Sequence, residues 1–337
     1  MTADLAKQPY HRLFRTLDGF RWWRPLVALL LAGVYYVVFS VVVAVPVLVL
    51  AVVTGRVSID DPARLQSDLG DLAVLDAASP ISLLLALGSL AVMLPAVHLA
   101  LLSTGLRPTG VRHSVAFRLR WRWLWQSSVP AFVIVVAATV VPILIGSMFG
   151  EEALGGVTTE PVLFLGCVAI ILVLTPFQAA AEEYVFRGFL AQMLGSWVRY
   201  APVAIIVPTA AFASLHIYDA AGLASVAIFG LGAAYVVWRT GGLEAGITYH
   251  ALNNISAFLF LASGVYGTTV NESETASNPA EVVLVVGSTL IATGVWVAWV
   301  LWLAKRKGIV RLGGRVDPAP AIDEAGMPQV PAPLPPV

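Results

Sequence analysis

Two adjacent glutamates stand at the end of a long apolar stretch of this sequence, in "AAAEEYVFRG", residues 179–188. On a helix, Glu183 and Arg187 lie at positions i and i+4, so the two side chains are neighbours and neutralise each other. Glu182 points about 100° away from that pair and has no such partner nearby in the sequence. A carboxylate of this kind could act as a general base for water. The alternative is that both glutamates cap a membrane span at its interface.

Histidine and amide side chains interrupt three further apolar segments. His216 in "FASLH" follows Phe212 by four residues, and His250 precedes Asn254 by four in "HALNN", so each pair shares one face of a helix. Ionisable groups inside membrane spans are costly and suggest function by default; for His250 and Asn254 the alternative is helix-packing hydrogen bonds. His98 in "AVHLA" has no polar companion at helical spacing, which predicts a packing or interface role.

Together, these groups could perform hydrolysis. Two histidines, a carboxylate and an amide on three helices could surround one water and one carbonyl. Glu182 and His216 would activate the water, while donors on His250 and Asn254 would stabilise the developing oxyanion. Alternatively, Glu182, His216 and His250 could hold a zinc ion with an open position for water. The sequence contains neither HExxH nor Gly-x-Ser-x-Gly. It therefore indicates neither the usual zinc-protease helix nor a serine nucleophile elbow.

The composition is that of an integral membrane protein. Of 337 residues, 58% are hydrophobic and 12% charged, against roughly a quarter charged in soluble domains. Helices are expected, because backbone groups in lipid must form their hydrogen bonds within the segment. The alternation of apolar and polar residues that is typical of a membrane barrel is missing. The sequence predicts an all-α polytopic protein with about eight transmembrane helices, near 26–53, 81–104, 123–148, 161–186, 201–217, 220–238, 243–264 and 281–303.

Charge and cysteine content narrow the function further. The formal net charge is zero, which argues against nucleic acid as a partner. The single cysteine, Cys167, excludes an internal disulfide and a cysteine cluster for metal. Lysines and arginines concentrate in alternate loops, which predicts that both termini are cytoplasmic. The first apolar stretch is too long for a cleaved signal peptide and indicates a retained anchor.

The three motifs occur in a known order. "EEYVFR", "FASLH" and "HALNN" match EExxxR, FxxxH and HxxxN on successive helices, so residues 160–265 resemble the CPBP family of intramembrane endopeptidases, also called the CAAX-protease, bacteriocin-processing or Abi family. The resemblance implies that Glu182 and His216 activate water and that His250 and Asn254 stabilise the tetrahedral intermediate. It also implies that Glu183, Arg187 and Phe212 shape the site. In eukaryotic relatives the reaction removes three residues after a prenylated cysteine.

Charge, composition and the resemblance together divide the chain. Residues 1–25 form a basic cytoplasmic segment, 26–160 the first helices with an acidic external loop, 161–265 the CPBP-like catalytic core, 281–304 the last helix, and 305–337 a basic and then Pro-rich tail that is expected to be disordered.

The substrate is expected to be a membrane-associated protein or peptide, in contact with the lipid bilayer. With 17 arginines to 3 lysines, the sequence suggests a GC-rich bacterial source and a multi-pass protein of the bacterial plasma membrane, where prenylated substrates are not expected. Zinc is a possible cofactor. The alternatives are an ion- or proton-coupled transporter and a non-catalytic bacteriocin-immunity or peptide-binding protein.

One geometric conflict stands against the shared site. If Glu182 ends one span at the cytoplasmic side and His216 ends the next at the far side, about 16 residues of helix separate them, or roughly 24 Å. We expect residues 189–198 to continue the helix and place Glu182 several turns deep. A tilt of the 201–217 span, with kinks at Pro176 and Pro208, would then bring His216 to it.

Overall fold

Apolar helices form almost the whole of the computed structural model, which describes residues 7–148, 156–265, 267–269 and 279–313. In chain order they are α1 (Arg24–Val53), α2 (Pro62–Ala73), α3 (Pro80–Ala91), α4 (Met93–Ser103), α5 (Trp121–Met148), α6 (Pro161–Glu183), α7 (Ala191–Trp197), α8 (Ala201–Ser214), α9 (Ala220–Thr240), α10 (Glu244–Ser263) and α11 (Pro279–Arg306). Short 3-10 helices span Tyr10–Thr16 and Thr109–Arg112.

Membrane-spanning helices account for the predicted spans. Six stretches of the described residues are long and apolar enough to cross a bilayer: Arg24–Val53, Pro80–Ser103, Trp121–Ile145, Pro161–Trp197, Ala220–Thr240 and Glu281–Arg306. The apolar α8 has 14 residues, and α10 has 20 but carries polar side chains. Each of the eight predicted spans therefore corresponds to a helical stretch. The protein is an all-α polytopic membrane protein.

The fourth span is longer than its predicted end at 186. After α6, residues Tyr184–Leu190 form a π-helical stretch that leads directly into α7, so the helical stretch runs from Pro161 to Trp197. The sequence of α7 is rich in residues that favour helices, and extended backbone at Val198 ends it. The expected continuation through 189–198 is thus confirmed to Trp197, and the boundary at 186 was wrong.

The two ends of the described chain meet. Strands β1 (Gln8–Pro9) and β2 (Leu312–Gly313) pair antiparallel, with Gln8 opposite Gly313. Both ends therefore lie at one end of the bundle, as an even number of spans requires. Their location in the cytoplasm stays a prediction, and the Pro-rich tail from 316 lies outside the described residues.

A buried ion pair connects the start of α10 to the loop before α5. Arg120 donates from Nε and Nη2 to the two carboxylate oxygens of Glu244, at 2.8 and 2.7 Å. Its Nη1 donates to the carbonyls of Thr240 and Val310, each at 3.1 Å. Because Glu244 is completely buried, Arg120 supplies the positive charge that this carboxylate needs in the protein interior.

We predict that Arg120→Met destabilises the protein by about 3 kcal/mol or more, because Glu244 is left as an uncompensated buried charge. The measurement is the thermal midpoint of the purified protein in detergent. Arg118→Met is the matched control, since Arg118 is exposed in the same loop. Equal midpoints for the two variants would contradict the prediction, and Glu244→Gln in the Arg120→Met background should restore part of the loss.

Candidate active site

Helices α6 and α10 run antiparallel and bring their polar residues into register. Asn254 Nδ2 donates to Gln178 Oε1 at 3.1 Å. One turn along each helix, His250 Nε2 lies 3.3 Å from Glu182 Oε2. A spacing of four residues on both helices keeps the two contacts on facing sides. The predicted site residues Glu182, His250 and Asn254 therefore share one interface.

Glu183 is the most strongly held group of this interface. Its Oε1 atom accepts hydrogen bonds from His250 Nδ1 at 3.0 Å and from Arg187 Nη1 at 3.1 Å. Glu183 is fully buried and Arg187 is 1% exposed. A Cβ atom on Gly246 would lie 2.9 Å from Glu183 Oε2, so this close approach of α10 to α6 requires a glycine. The predicted neutralisation of Glu183 by Arg187 is present in the structure.

Arg187 also connects α6 to the neighbouring helices. Its Nη2 donates to the carbonyl of Gly230 on α9 at 3.3 Å, and its Cζ lies 4.3 Å from the centre of the Phe212 ring on α8. Both contacts stabilise a buried cation, one by hydrogen bonding and one by the negative face of the ring. Phe212 therefore contacts Arg187 directly, and its role in shaping the site stays a prediction.

The hydrogen bonds of His250 determine where its protons lie. Glu183 accepts from Nδ1, which assigns a proton to that nitrogen. The opposite nitrogen, Nε2, faces Glu182 Oε2 at 3.3 Å, and two lone pairs at that distance would repel each other. A proton on either of these two atoms would relieve that repulsion. With His250 protonated, the two carboxylates, Arg187 and the imidazolium sum to zero charge.

The hairpin of α7 and α8 brings His216 toward the same place. Residues 198–200 join the two helices, and on either side of this turn the rings of Phe186 and Phe212 lie 5.2 Å apart. Glu182 lies one helical turn beyond Phe186, and His216 lies one turn beyond Phe212, in each case on the side away from the connection. Both are about 22 Å along their helices from the turn. Because α6 continues into α7, Glu182 and His216 lie at similar distances from the connection, and the difference in membrane depth expected from the sequence disappears.

Aromatic contacts link the two histidines. The Phe212 ring centre lies 4.7 Å from that of His216 and 5.8 Å from that of His250. His216 lies just beyond the last residue of α8, where the chain continues in a tight turn with His216 N bonded to the carbonyl of Ala213 at 3.1 Å. Its Nδ1 lies 2.9 Å from the carbonyl of Phe212, so Nδ1 is the donor and Nε2 is left as an acceptor.

Glu182 differs from Glu183 in its surroundings. It is 8% exposed, and its Oε2 atom, buried beside His250, makes no geometrically sound hydrogen bond within the described part of the chain. A buried carboxylate oxygen without such a bond is unfavourable for stability, and such groups concentrate at functional sites. Glu183 Oε2 is also buried without a hydrogen bond, but its carboxylate is paired with Arg187. Glu182 has no lysine or arginine partner within the described ranges, so of the two adjacent glutamates it is the one available for chemistry.

Sequence reasoning missed Gln178. It is buried, accepts the hydrogen bond from Asn254 and precedes Glu182 by one helical turn in "TPFQAAAEE". A polar residue four positions before Glu182 within an apolar run was the available signal. His98, for which packing was predicted, lies half-buried on α4.

The predicted zinc ligands do not converge as a metal site requires. Zinc needs three protein ligands at about 2.0–2.2 Å around one point. Across the described ranges, no group of three His, Cys, Asp or Glu side chains has that arrangement. Glu182 Oε2 and His250 Nε2 lie 3.3 Å apart. His216, the third predicted ligand, contacts Phe212 and Tyr218 instead. We therefore derive no step of the reaction through zinc.

Comparison with known proteins agrees with this arrangement. Residues 163–256 match the family model of the type II CAAX prenyl endopeptidase Rce1-like proteins. This part of the chain is similar to those proteins, and we refer to it as the Rce1-like domain. This domain extends from α6 into α10 and includes all three motifs, so the predicted resemblance to the intramembrane endopeptidase family is confirmed.

Similarity also extends outside the Rce1-like domain. The uncharacterized protein YyaK of Bacillus subtilis strain 168 is 25% identical over 256 residues, which cover 73% of this chain and 80% of YyaK. No solved structure matches the chain. The alignment with YyaK is longer than the Rce1-like domain, so the flanking helices are part of what the two proteins share.

We predict opposite effects on stability for two residues of the EExxxR motif. Arg187→Met should lower the free energy of unfolding by about 3–5 kcal/mol, because it leaves Glu183 buried without its cation. Glu182→Gln should leave stability unchanged or raise it, because the amide can donate to His250 and the buried charge is removed. Thermal midpoints in detergent measure both, and a lower midpoint for Glu182→Gln than for Arg187→Met would contradict the assignment.

Proposed function

We propose that this protein hydrolyses a peptide bond of a membrane-associated protein or peptide, using water activated by Glu182 and His216. The Rce1-like domain supports an intramembrane protease at the level of the family. The observation that carries the finer proposal is the Glu182 carboxylate, which is buried, lies 3.3 Å from His250 Nε2 and is paired with no lysine or arginine of the described residues. Its neighbour Glu183 is neutralised, so Glu182 is free to take a proton.

The first step forms a tetrahedral intermediate. A water donates one hydrogen bond to Glu182 and a second to His216 Nε2, the nitrogen left as an acceptor by the bond at Nδ1. As the water oxygen adds to the carbonyl carbon of the substrate, Glu182 takes its proton. When this intermediate collapses, the same proton passes to the leaving nitrogen, the C–N bond breaks, and a carboxylic acid and an amine result.

The developing oxyanion is stabilised from α10. In its protonated form His250 carries a proton on Nε2, and a substrate oxygen placed beside Glu182 accepts a hydrogen bond from it as negative charge builds there. Asn254 Nδ2 has a second N–H besides the one donated to Gln178. Such preorganised donors have their largest effect in a water-poor site. Glu183 and Arg187 would contribute indirectly, because Arg187 holds Glu183 and Glu183 orients His250 through Nδ1.

Lipid-exposed side chains beside His216 favour a membrane-associated substrate. Leu215 is 72% exposed and Ile217 is 86% exposed, and both lie in the short connection between α8 and α9. Exposed apolar side chains of this kind suit contact with lipid better than contact with water, so we place the reactive end of α8 next to the hydrocarbon region. A substrate held in the bilayer by an apolar segment or a lipid can reach His216 laterally, whereas a soluble protein would have to enter the membrane.

The test is N-terminal proteomics on membranes of the native host that lack this protein and are complemented at equal expression. We expect new protein N-termini with wild type and at least about 100-fold fewer with Glu182→Gln, because the general base is lost. Glu160→Gln is the matched control, a glutamate at the opposite end of α6. Addition of a zinc chelator to wild-type membranes tests the metal hypothesis separately, and the proposed reaction predicts no loss.

Other outcomes would identify other functions. Equal N-terminal profiles for wild type and Glu182→Gln, together with a phenotype that separates both from the deletion, would replace hydrolysis with binding or immunity. A gradient-dependent flux in sealed vesicles without proteolysis would favour a transporter.

We also predict that Gln178 positions the Asn254 amide. Because Gln178 Oε1 accepts from Nδ2, the donor end of Asn254 faces the site. Gln178→Leu removes the acceptor and should reduce new N-termini about tenfold or more through misplacement of a catalytic donor. Gln178→Glu keeps an acceptor oxygen and should retain more activity than Gln178→Leu at similar thermal midpoints. Full activity of Gln178→Leu would contradict this role.

A further inference from the structure

The N-terminal segment lies along the end of α7 and carries two arginines to it. The carbonyl of His11 contacts Gly195 so closely that an added Cβ atom would overlap it. Arg15 Nη1 donates to the carbonyl of Ser196 at 2.9 Å. Arg12 lies between these two contacts in the sequence, so it is held at the same end of the helix. The end of α7 carries partial negative charge, and Arg15 satisfies one of its carbonyls.

A third arginine comes from the turn between α7 and α8. Trp197 Nε1 donates to the carbonyl of Trp22 at 2.8 Å, which holds the N-terminal segment beside the turn, and Arg199 is two residues further on. The pKa of the Arg12 guanidinium is lowered by burial and then by the positive charges of Arg15 and Arg199. Three like charges therefore lie close together at this corner, which we name the arginine corner.

Local acidic residues do not balance this charge. Residues 7–24 contain five lysines and arginines and one acidic residue, Asp18. Even with Asp18 counted in full, this segment has a surplus of four positive charges, and Arg199 adds another. An arginine cluster that keeps a surplus of charge is stabilised by an external anion.

Exposed aromatic side chains mark the depth of the arginine corner in the membrane. Trp22 and Tyr200 are each 67% exposed, and Trp197 is 37% exposed. Tryptophan and tyrosine are enriched where headgroups meet hydrocarbon. The next residue, Val198, is also exposed. The cluster thus lies at headgroup level and has apolar surface directly beside it.

We propose that Arg12, Arg15 and Arg199 bind the phosphate of an anionic phospholipid whose acyl chains lie against Trp197 and Tyr200. Guanidinium groups match phosphate oxygens in pairs, and Arg15 retains donors beyond the one used on Ser196. Basic surfaces on the cytoplasmic side of membrane proteins bind anionic headgroups in this way. The aromatic and apolar surface favours a lipid over a free phosphate, because only a lipid has both a phosphate for the arginines and acyl chains for the apolar surface. This site does not depend on the proposed reaction.

Lipid titration by native mass spectrometry of the full-length protein in detergent tests the site. Phosphatidylglycerol should bind several-fold more tightly than phosphatidylcholine. An arginine near the surface contributes about 1 kcal/mol to such binding, so Arg12→Gln and Arg199→Gln should each weaken phosphatidylglycerol about fivefold, and the double variant more than tenfold. Arg107→Gln with Arg118→Gln is the matched control, since it removes two exposed cations from another loop and should change affinity less than twofold.

Two further measurements keep the result unambiguous. Arg12→Lys with Arg199→Lys preserves the charge and should recover most of the affinity if the Gln variants are folded, which their thermal midpoints check. Glycerol phosphate, the headgroup without chains, should compete only at much higher concentration than the lipid. Equal binding of the two phospholipids, an equal loss in the control variant, or competition by glycerol phosphate at lipid concentrations would each overturn the proposal.

Discussion

A buried carboxylate requires a positive charge beside it, and the contacts among four helical elements meet that requirement at Glu183. In an interior of low polarity, an unpaired charge is far more costly than any single packing contact. The carboxylate of α6 is met by Arg187 and by His250 of α10, and Arg187 is in turn held by the carbonyl of Gly230 on α9 and the Phe212 ring on α8. Neutralising one charge therefore fixes the relative positions of the helices that surround the site.

The same requirement separates two residues of identical chemistry. Glu182 and Glu183 are adjacent in sequence, but a helix turns their side chains about 100° apart. Glu183 is paired with the Arg187 cation, whereas Glu182 faces the far nitrogen of His250. The protein thus uses one carboxylate to build the site and leaves the other in a state that favours proton transfer. Stability and reactivity are assigned to different members of the pair.

Local sequence periodicity predicted the helices and the motif residues, because hydrophobic spans and i, i+4 neighbours depend only on nearby residues. Local periodicity failed where contacts between residues far apart in the sequence determine the structure. The end of the fourth span was misplaced because α7 is itself apolar and its sequence contains no stop signal before Trp197. Gln178 looked like an isolated polar residue until its partner on α10 was known. Arg120 and Glu244 are 124 positions apart in the sequence, and no local pattern predicts such a contact.

The π-helical stretch from Tyr184 to Leu190 has a consequence for how this sequence can change. A π turn holds one more residue than an α turn, so this stretch sets the rotational phase between α6, which faces α10, and α7, which faces the N-terminal segment and α8. Deleting one residue between 188 and 190 would preserve EEYVFR but rotate α7 by about 100° relative to Glu182. The number of residues in this stretch is therefore constrained as tightly as their identity, and insertions or deletions should be tolerated only outside it.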